Sequence, residues 1–170
     1  ATGIKATDAL KVSNLTATQA YTLPTTATAA TLKFWIADST DTATGGALIT
    51  ATPTWSAYGS NAVTPATSTT GTVYTTDALG NFSVSVTNTT PVDGASLSLV
   101  LSGGLAFGAG TNTVTLTWKD PVATTITVID PVDGAYVKTG STNVTTVMVT
   151  DQFGNAVANQ GVSVAIPGST

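Results

Sequence analysis

Apolar and polar residues alternate one by one in several short runs along this chain. In the first run, Leu32, Phe34 and Ile36 alternate with Lys33 and Trp35. The alternation recurs at residues 82–86, 97–101, 114–118, 126–128, 147–149 and 162–166. Successive side chains of a β-strand point to opposite faces, so each run predicts a strand with one buried face. Glycine, asparagine, aspartate or proline separates the runs and no stretch shows capped helical periodicity, so the chain is predicted to be an all-β, antiparallel β-sandwich.

Two short motifs occur twice and predict repeated turns. The pattern Thr-Asp-x-(Leu/Phe)-Gly-Asn spans residues 76–81 and 150–155, and Pro-Val-Asp-Gly-Ala spans residues 91–95 and 131–135. Glycine and asparagine tolerate a positive φ, and an aspartate carboxylate accepts hydrogen bonds from the backbone of its own turn. Because the two motifs recur at different spacings, they indicate shared turn chemistry rather than one repeat period.

A junction near residues 119–121 divides the predicted strands into two groups. Pro121 cannot donate to a strand ladder and restrains the residue before it. We therefore expect one complete domain at residues 1–119 and a partial second unit at residues 120–170. Such a unit is about half a sandwich, and its apolar sheet face would be exposed. It could fold onto the first domain, be completed by further strands of a longer chain, or be completed by a strand from another copy.

Residues 149–164 read Val-Thr-Asp-Gln-Phe-Gly-Asn-Ala-Val-Ala-Asn-Gln-Gly-Val-Ser-Val and combine the second turn motif with an alternating run. This segment resembles bacterial immunoglobulin-like (Ig-like) domains of the invasin and intimin type, in which a strand ends in TDxxGNPV and the next reads GVxVxF. Ala156 replaces the proline here, and Ile166 lies near the aromatic position. Residues 77–86 resemble a later TDxxGxxxVxV element of the family, and residues 32–55 its early strands. The resemblance implies an Ig-like fold in a bacterial surface protein.

The composition points to an uncharged, threonine-rich surface. Charged residues make up 8% of the chain, all acids are aspartate, all bases are lysine, and threonine is the most frequent residue. Threonine suits half-exposed strand positions, and few charges leave little repulsion between copies. A formal net charge of -4 argues against nucleic-acid binding, which needs basic patches. The absence of cysteine fits an extracellular protein, and the composition is more similar to S-layer proteins than to adhesins.

Calcium is the metal that the aspartates suit best, since Ca²⁺ takes roughly six to eight oxygen ligands. Asp38 and Asp41 share one loop, and Asp120, Asp130 and Asp133 lie around the predicted junction, where an ion would make the chain rigid. The alternative is that these aspartates only shape turns. The chain has neither histidine nor cysteine, which removes the usual ligands of zinc, copper and iron.

Four asparagines match the Asn-x-Ser/Thr pattern of N-glycosylation, namely Asn14, Asn81, Asn88 and Asn143. In a chain so rich in serine and threonine, chance matches are expected, and an unmodified asparagine is the alternative at each position.

The three tryptophans are candidates for core packing or for contact with a partner. Trp118 shares its face with an alternating apolar run, and we expect it in the core together with Trp55. Trp35 lies on the face opposite Phe34, so we expect it at an interface.

The sequence predicts a non-catalytic structural subunit of an extracellular, self-assembling surface layer, sheath or filament at the cell surface. Its expected partners are copies of itself and a cell-wall or surface glycan, with no nucleic acid and no membrane span. The alternative is a stalk or tip module of an adhesin that binds host protein or glycan. Catalysis is not expected, because histidine and cysteine are absent and the Asp38 and Asp41 pair stands in no hydrolase motif.

Overall fold

The computed structural model describes residues 2–3, 9–12, 19–36, 42–103, 113–132, 135–136, 138–142 and 144–164. Every regular element within these residues is a β-strand, and none is a helix. The strands are β1 (Thr2–Gly3), β2 (Ala9–Val12), β3 (Gln19–Pro24), β4 (Ala29–Trp35), β5 (Leu48–Ser56), β6 (Val63–Thr64), β7 (Thr72–Thr75), β8 (Asn81–Asn88), β9 (Ser96–Gly103), β10 (Thr113–Lys119), β11 (Ala123–Asp130) and β12 (Thr146–Asp151). The prediction of an all-β chain is confirmed.

The chain divides into two compact units, Ala1–Asp120 and Pro121–Thr170. The first unit contains β1 to β10 in two sheets, and the second contains β11 and β12. The division lies one residue beyond the boundary expected from the sequence, in front of the proline that interrupts the ladder.

The larger sheet of the first unit has six strands in the order β1-β3-β10-β9-β5-β7. Its central strands β10, β9 and β5 are antiparallel, with Leu116 opposite Leu97 and Leu97 opposite Trp55. Residues opposite each other share a face, so these side chains point together into the interior. Each of them is buried.

The smaller sheet has four strands in the order β2-β4-β8-β6. Its central strands β4 and β8 are antiparallel, with Leu32 opposite Val84 and Phe34 opposite Phe82. The two phenylalanine rings stack with their centroids 4.7 Å apart and their planes 12° from parallel. The alternation at residues 32–36 and 82–86 thus identifies the buried face of both strands.

Buried side chains from both sheets of the first unit form one apolar cluster. Leu32 and Val84 contribute from the four-stranded sheet, and Leu99 and Leu116 from the six-stranded sheet, all without solvent exposure. Full burial of such a side chain stabilises a fold by about 1.5–3 kcal/mol. Two sheets with a shared apolar interior are consistent with a β-sandwich.

The expectation that all pairing is antiparallel is wrong at the edges of both sheets. β3 runs parallel to β10, with Thr22 opposite Thr117, and β1 runs parallel to β3. β2 runs parallel to β4. Alternation reports which face of a strand is buried, and parallel and antiparallel edge strands need the same one-sided burial. The pattern therefore carries no information on direction.

The described part of the second unit contains one antiparallel pair, β11 with β12. A further strand was expected at residues 162–166, but residues 162–164 form no strand, and residues 165 and 166 lie outside the described residues. A strand needs a neighbour for its backbone N–H and C=O groups. Among the described residues, the sheet of this unit consists of β11 and β12, and residues 162–164 pair with neither strand.

The two copies of the Thr-Asp-x-(Leu/Phe)-Gly-Asn motif form the same turn. Asp77 Oδ1 accepts hydrogen bonds at 2.8 Å from the N–H groups two and four residues later, and Asp151 Oδ1 does the same at 2.8 Å. Gly80 and Gly154 have φ angles of 75° and 79°, a left-handed conformation that glycine adopts without strain. The motif thus encodes one local structure in both units.

Candidate functional site: assembly surfaces

The β11–β12 pair has one apolar face. Ile126 is opposite Val149, and Val128 is opposite Val147. Because directly opposed residues of a ladder share a face, these four side chains lie together. We call this group the open face.

On the other face of the same pair, three of the four opposed residues are threonine and the fourth is a methionine. Thr125 is opposite Thr150, and Thr127 is opposite Met148. Ile129 lies at the irregularity near the end of β11 and is half exposed. An apolar face backed by a threonine face is the pattern of a sheet that packs against a second layer on one side only. The β11–β12 pair therefore has the character of one layer of a sandwich.

The β11 side of the open face is exposed, whereas its β12 side is more buried. Ile126 is 58% exposed and Val128 52% exposed, whereas Val149 is 9% exposed. Apolar strand residues of the first unit that point inward, such as Leu32, are completely buried. An isolated two-stranded sheet is marginally stable in water, so a unit of this kind gains stability from anything that covers its apolar side.

The turn after β12 fixes the end of this strand. Asp151 is buried, and besides its two backbone acceptor contacts its Oδ2 lies 3.3 Å from the Nδ2 atom of Asn155. Further along, the N–H of Val157 donates to the carbonyl of Val149 at 2.9 Å. Phe153, within the turn, is also buried. The returning chain therefore holds Val149 in place on the open face.

A second surface covers the outside of the six-stranded sheet. Its outward positions on β5, β9 and β10, up to Thr117, carry no charge, and all but two are serine or threonine. We call this surface the hydroxyl face; its residues are Leu48, Thr50, Thr52, Thr54, Ser56, Ser96, Ser98, Val100, Ser102, Thr113, Thr115 and Thr117. Some hydroxyls bond across the strands, as Ser56 Oγ and Ser96 Oγ do at 2.6 Å.

Two of the three tryptophans lie in the core of the first unit, and the third does not. Trp118 is completely buried and Trp55 nearly so, and both belong to the apolar cluster. Trp35 is half-buried at the end of β4, on the face opposite the buried Phe34. Its partner across the ladder is Asn81. Trp35 therefore lies on the outward side of the four-stranded sheet, and its role at an interface stays a prediction.

The aspartates proposed for calcium are described only in part. Asp38, Asp41 and Asp133 lie outside the described residues. Asp120 and Asp130 are exposed, and no group of three or more histidine, cysteine, aspartate or glutamate side chains comes together anywhere in the described part of the chain. Calcium binding by these aspartates therefore stays a prediction.

Asp120 contributes instead to a hydrogen-bonded group at the end of β10. Its Oδ1 accepts from Thr25 Oγ1 at 2.8 Å, and its N–H donates to Asp93 Oδ1 at 3.0 Å. Lys119 Nζ lies 3.4 Å from Asp93 Oδ2. The backbone hydrogen bond from Asp120, followed by the bond and charge of Lys119, holds the pKa of Asp93 below its ordinary value. The ion pair is half exposed and contributes little stability.

The structure separates the candidate glycosylation sites. Asn14 and Asn143 lie outside the described residues. Asn81 is exposed at the first position of β8. Asn88, at the last position of the same strand, is completely buried, and neither Oδ1 nor Nδ2 has a hydrogen-bond partner. A glycan on Asn88 needs its amide to reach solvent, so the folded chain argues against that acceptor.

Sequence reasoning missed the hydroxyl face and the buried amide of Asn88. The hydroxyl face has a signal in the sequence, because threonine alternates with Ile49, Ala51 and Pro53 along β5. The pattern is weaker than in the other apolar runs, because Ala51 and Pro53 occupy two of its apolar positions. Asn88 has no comparable signal, since an asparagine at the end of a strand is usually exposed.

Comparison with known proteins adds no relative. No family model, no curated protein and no solved structure matches the chain. None of the described residues belongs to a helix that could cross a lipid bilayer. The function therefore has to be argued from the surfaces that the two units present.

Proposed function

We propose that the chain is a non-catalytic structural subunit of an extracellular, self-assembling surface layer, sheath or filament. The open face is the observation that carries this proposal. Ile126 and Val128 are each more than half exposed, and removing the exposed half of such a side chain from water contributes about 1 kcal/mol apiece. A neighbouring copy that covers this face gains that free energy, and repetition of the contact produces an assembly.

The order of strands in the first unit supports an Ig-like fold for the subunit. Ig-like sandwiches place strands B, E and D in one sheet and C, F and G in the other. β4, β8 and β6 are neighbours in that order, as are β5, β9 and β10. The buried tryptophan that such domains carry on strand C has a counterpart in Trp55 on β5. β2 departs from the scheme, because it runs parallel to β4. β7 also departs from it, because it pairs with β5 but follows β6 in the chain.

The two described strands of the second unit match the first two strands of such a domain. β11 and β12 take the places of strands A and B, and the Asp151 turn follows as it does in the Ig-like domains that the sequence resembles. A strand supplied by a neighbouring subunit can complete such a sheet through backbone hydrogen bonds and cover its apolar side, as in donor-strand complementation. This mode uses the open face together with the outer edge of β11, which pairs with no further strand among the described residues. The outer edge of β12 is already bridged by Ala156 at Thr150.

The hydroxyl face supports dense packing of subunits. A sheet surface without charges has no like-charge repulsion to overcome when copies approach. Its serine and threonine hydroxyls both donate and accept, so they can bond to a neighbouring surface or to shared water. The absence of cysteine and a composition similar to that of S-layer proteins support the proposed extracellular location.

Electron microscopy combined with sedimentation velocity tests the proposal. The purified chain is examined by negative staining in millimolar Ca²⁺ and again in chelator. Two matched variants follow: Ile126→Lys places a charge on the open face, and Thr125→Lys places the same charge on the polar face one residue earlier. Both positions are exposed, so both variants should retain the circular dichroism of the parent.

We expect ordered sheets, tubes or fibres from the parent and from Thr125→Lys, and dispersed particles from Ile126→Lys. Dispersed particles from the parent in both buffers would contradict self-assembly and favour an adhesin segment. Equal disruption of the assemblies by both lysine variants would show that the open face is not the contact between copies. Loss of the assemblies in chelator would implicate the aspartates, whereas their survival would show that calcium is not needed.

A further inference from the structure

Trp35 and Asn81 are direct neighbours across the β4–β8 ladder. Just beyond them, the N–H of Ile36 donates to the carbonyl of Gly80 at 2.8 Å. This bond identifies Trp35 and Asn81 as a non-hydrogen-bonded pair, whose Cβ atoms are about 4.5–5.5 Å apart in antiparallel sheets. An aromatic ring and an exposed amide thus stand side by side on the outward face of the four-stranded sheet.

The side chain of Asn81 is held in place by Asp77. Its Nδ2 atom lies 3.3 Å from both Oδ1 and Oδ2 of that aspartate. Both oxygens belong to one carboxylate, so a single N–H group makes these two contacts. The other N–H of this exposed amide is therefore available to carry a substituent without loss of the bond to Asp77.

Asn81 also satisfies the sequence requirement for N-glycosylation in a suitable setting. Ser83 follows two residues later, on the same face of β8 and also exposed. Asn88 satisfies the same sequence requirement on the same strand but is completely buried. The chain thus contains a matched pair of acceptor sequences that differ in access to solvent.

We propose that Asn81 carries an N-linked glycan whose first sugar packs against the indole of Trp35. In the transfer, Nδ2 forms a bond to C1 of the sugar while the bond from C1 to the diphosphate of a glycosyl diphosphate donor breaks. The diphosphate leaves with the bonding electron pair, and the amide nitrogen loses one proton. The C–H groups on one side of a pyranose ring form an apolar surface that suits an aromatic face. This inference is independent of self-assembly.

Mass spectrometry of glycopeptides tests the acceptor. The chain is produced in a eukaryotic secretory host with Asn14→Gln and Asn143→Gln, so that Asn81 and Asn88 are the remaining acceptor sequences. An endoglycosidase trims the glycans to single N-acetylglucosamine residues. We expect the sugar on Asn81 and none on Asn88 in the folded monomer. An unmodified Asn81, or equal occupancy of both asparagines, would overturn the proposal.

A double-mutant cycle tests the contact with Trp35. Ser83→Ala abolishes the acceptor sequence while leaving Asn81 unchanged, and it is combined with Trp35→Ala and with Trp35→Phe. We expect the trimmed glycoprotein to melt about 2–6 °C above its Ser83→Ala partner when Trp35 is present. In the Trp35→Ala background the difference should disappear, and in the Trp35→Phe background it should be partly retained. The same difference in all three backgrounds would refute the packing of the sugar on the indole.

Discussion

The indole rings of Trp55 and Trp118 stack inside the first unit, with their centroids 5.4 Å apart and their planes 27° from parallel. The residues belong to β5 and β10, on either side of β9 in the six-stranded sheet. Trp118 Nε1 also donates to the carbonyl of Ala27 at 2.8 Å, just ahead of β4. The pair therefore connects the centre of one sheet to the chain that enters the other.

Replacement of the indole of Trp118 should destabilise the first unit. We expect Trp118→Phe to lower the free energy of unfolding by about 2–4 kcal/mol, because it leaves a cavity and an unpaired carbonyl at Ala27. Urea denaturation followed by far-ultraviolet circular dichroism measures the change. Thr117→Ala, at the adjacent outward position, is the control and should stay within about 0.5 kcal/mol of the parent. Similar losses in both variants would contradict the central place of Trp118.

Gly80 should tolerate substitution less well than another glycine of the same unit. It has a φ of 75°, and a Cβ at this position would overlap the carbonyl oxygen of Ile36. Gly46 has a φ of 72°, but a Cβ there meets nothing within 4 Å. We expect Gly46→Ala to cost roughly 1 kcal/mol from backbone strain and Gly80→Ala at least about twice as much. Equal losses in urea denaturation would show that the turn yields to the added methyl group.

Acid should weaken the first unit through Asp77 and Asp93. Backbone hydrogen bonds, from Asn81 and Asp120 respectively, are the main cause that lowers the pKa of each carboxyl below its ordinary value. A carboxyl group whose pKa is lowered by folding stabilises the folded state at pH values above its unfolded pKa of about 3.9. This stabilisation is lost as the pH falls through the folded pKa.

We therefore expect the urea midpoint to fall between about pH 5 and pH 2. Asp77→Asn retains an oxygen acceptor for the turn but cannot ionise, so its midpoint should vary less with pH. An unchanged pH dependence in this variant would exclude Asp77 as a source of the effect.

The buried amide of Asn88 should lower the free energy of unfolding. Its side chain is completely buried, and neither of its polar atoms has a hydrogen-bond partner. An unpaired buried polar group costs about 1–3 kcal/mol. Asn88→Leu, produced in a host without N-glycosylation, should therefore raise the free energy of unfolding by about 1–2 kcal/mol. A loss of stability would instead indicate an ordered water molecule that satisfies the amide.

The buried faces of the strands were predictable because alternation records one-sided burial directly. Phe34, Val84 and Leu97 each occupy the inward positions that their runs predicted. β5 was harder to recognise, since Pro53 lies within it. The proline is tolerated because its ring nitrogen points away from β9, toward the side where β7 pairs only with Leu48 to Ala51. On that side, the N–H of Ser68 donates a hydrogen bond to the carbonyl of Pro53.

The partners of each strand and the candidate sites were less predictable. β3 pairs in parallel with β10, although the two segments are far apart in the sequence. The few apolar residues of Gln19–Pro24 do not indicate this pairing. The apolar character of the open face was predictable, because apolar and polar residues alternate at 126–128 and 147–149. The juxtaposition of Trp35 with Asn81 depends on the ladder register, which neither residue reveals alone.

The most direct test of self-assembly through the open face is to follow the fluorescence of a probe on that face while copies of the chain associate. The chain has no cysteine, so Ile126→Cys and, as a control, Thr125→Cys can each be labelled with one environment-sensitive fluorophore. Because copies are proposed to cover the open face, the emission at position 126 should shift to the blue as concentration and assembly rise, while emission at position 125 changes little. Assembly without a shift at position 126, or an equal shift at both positions, would contradict the account.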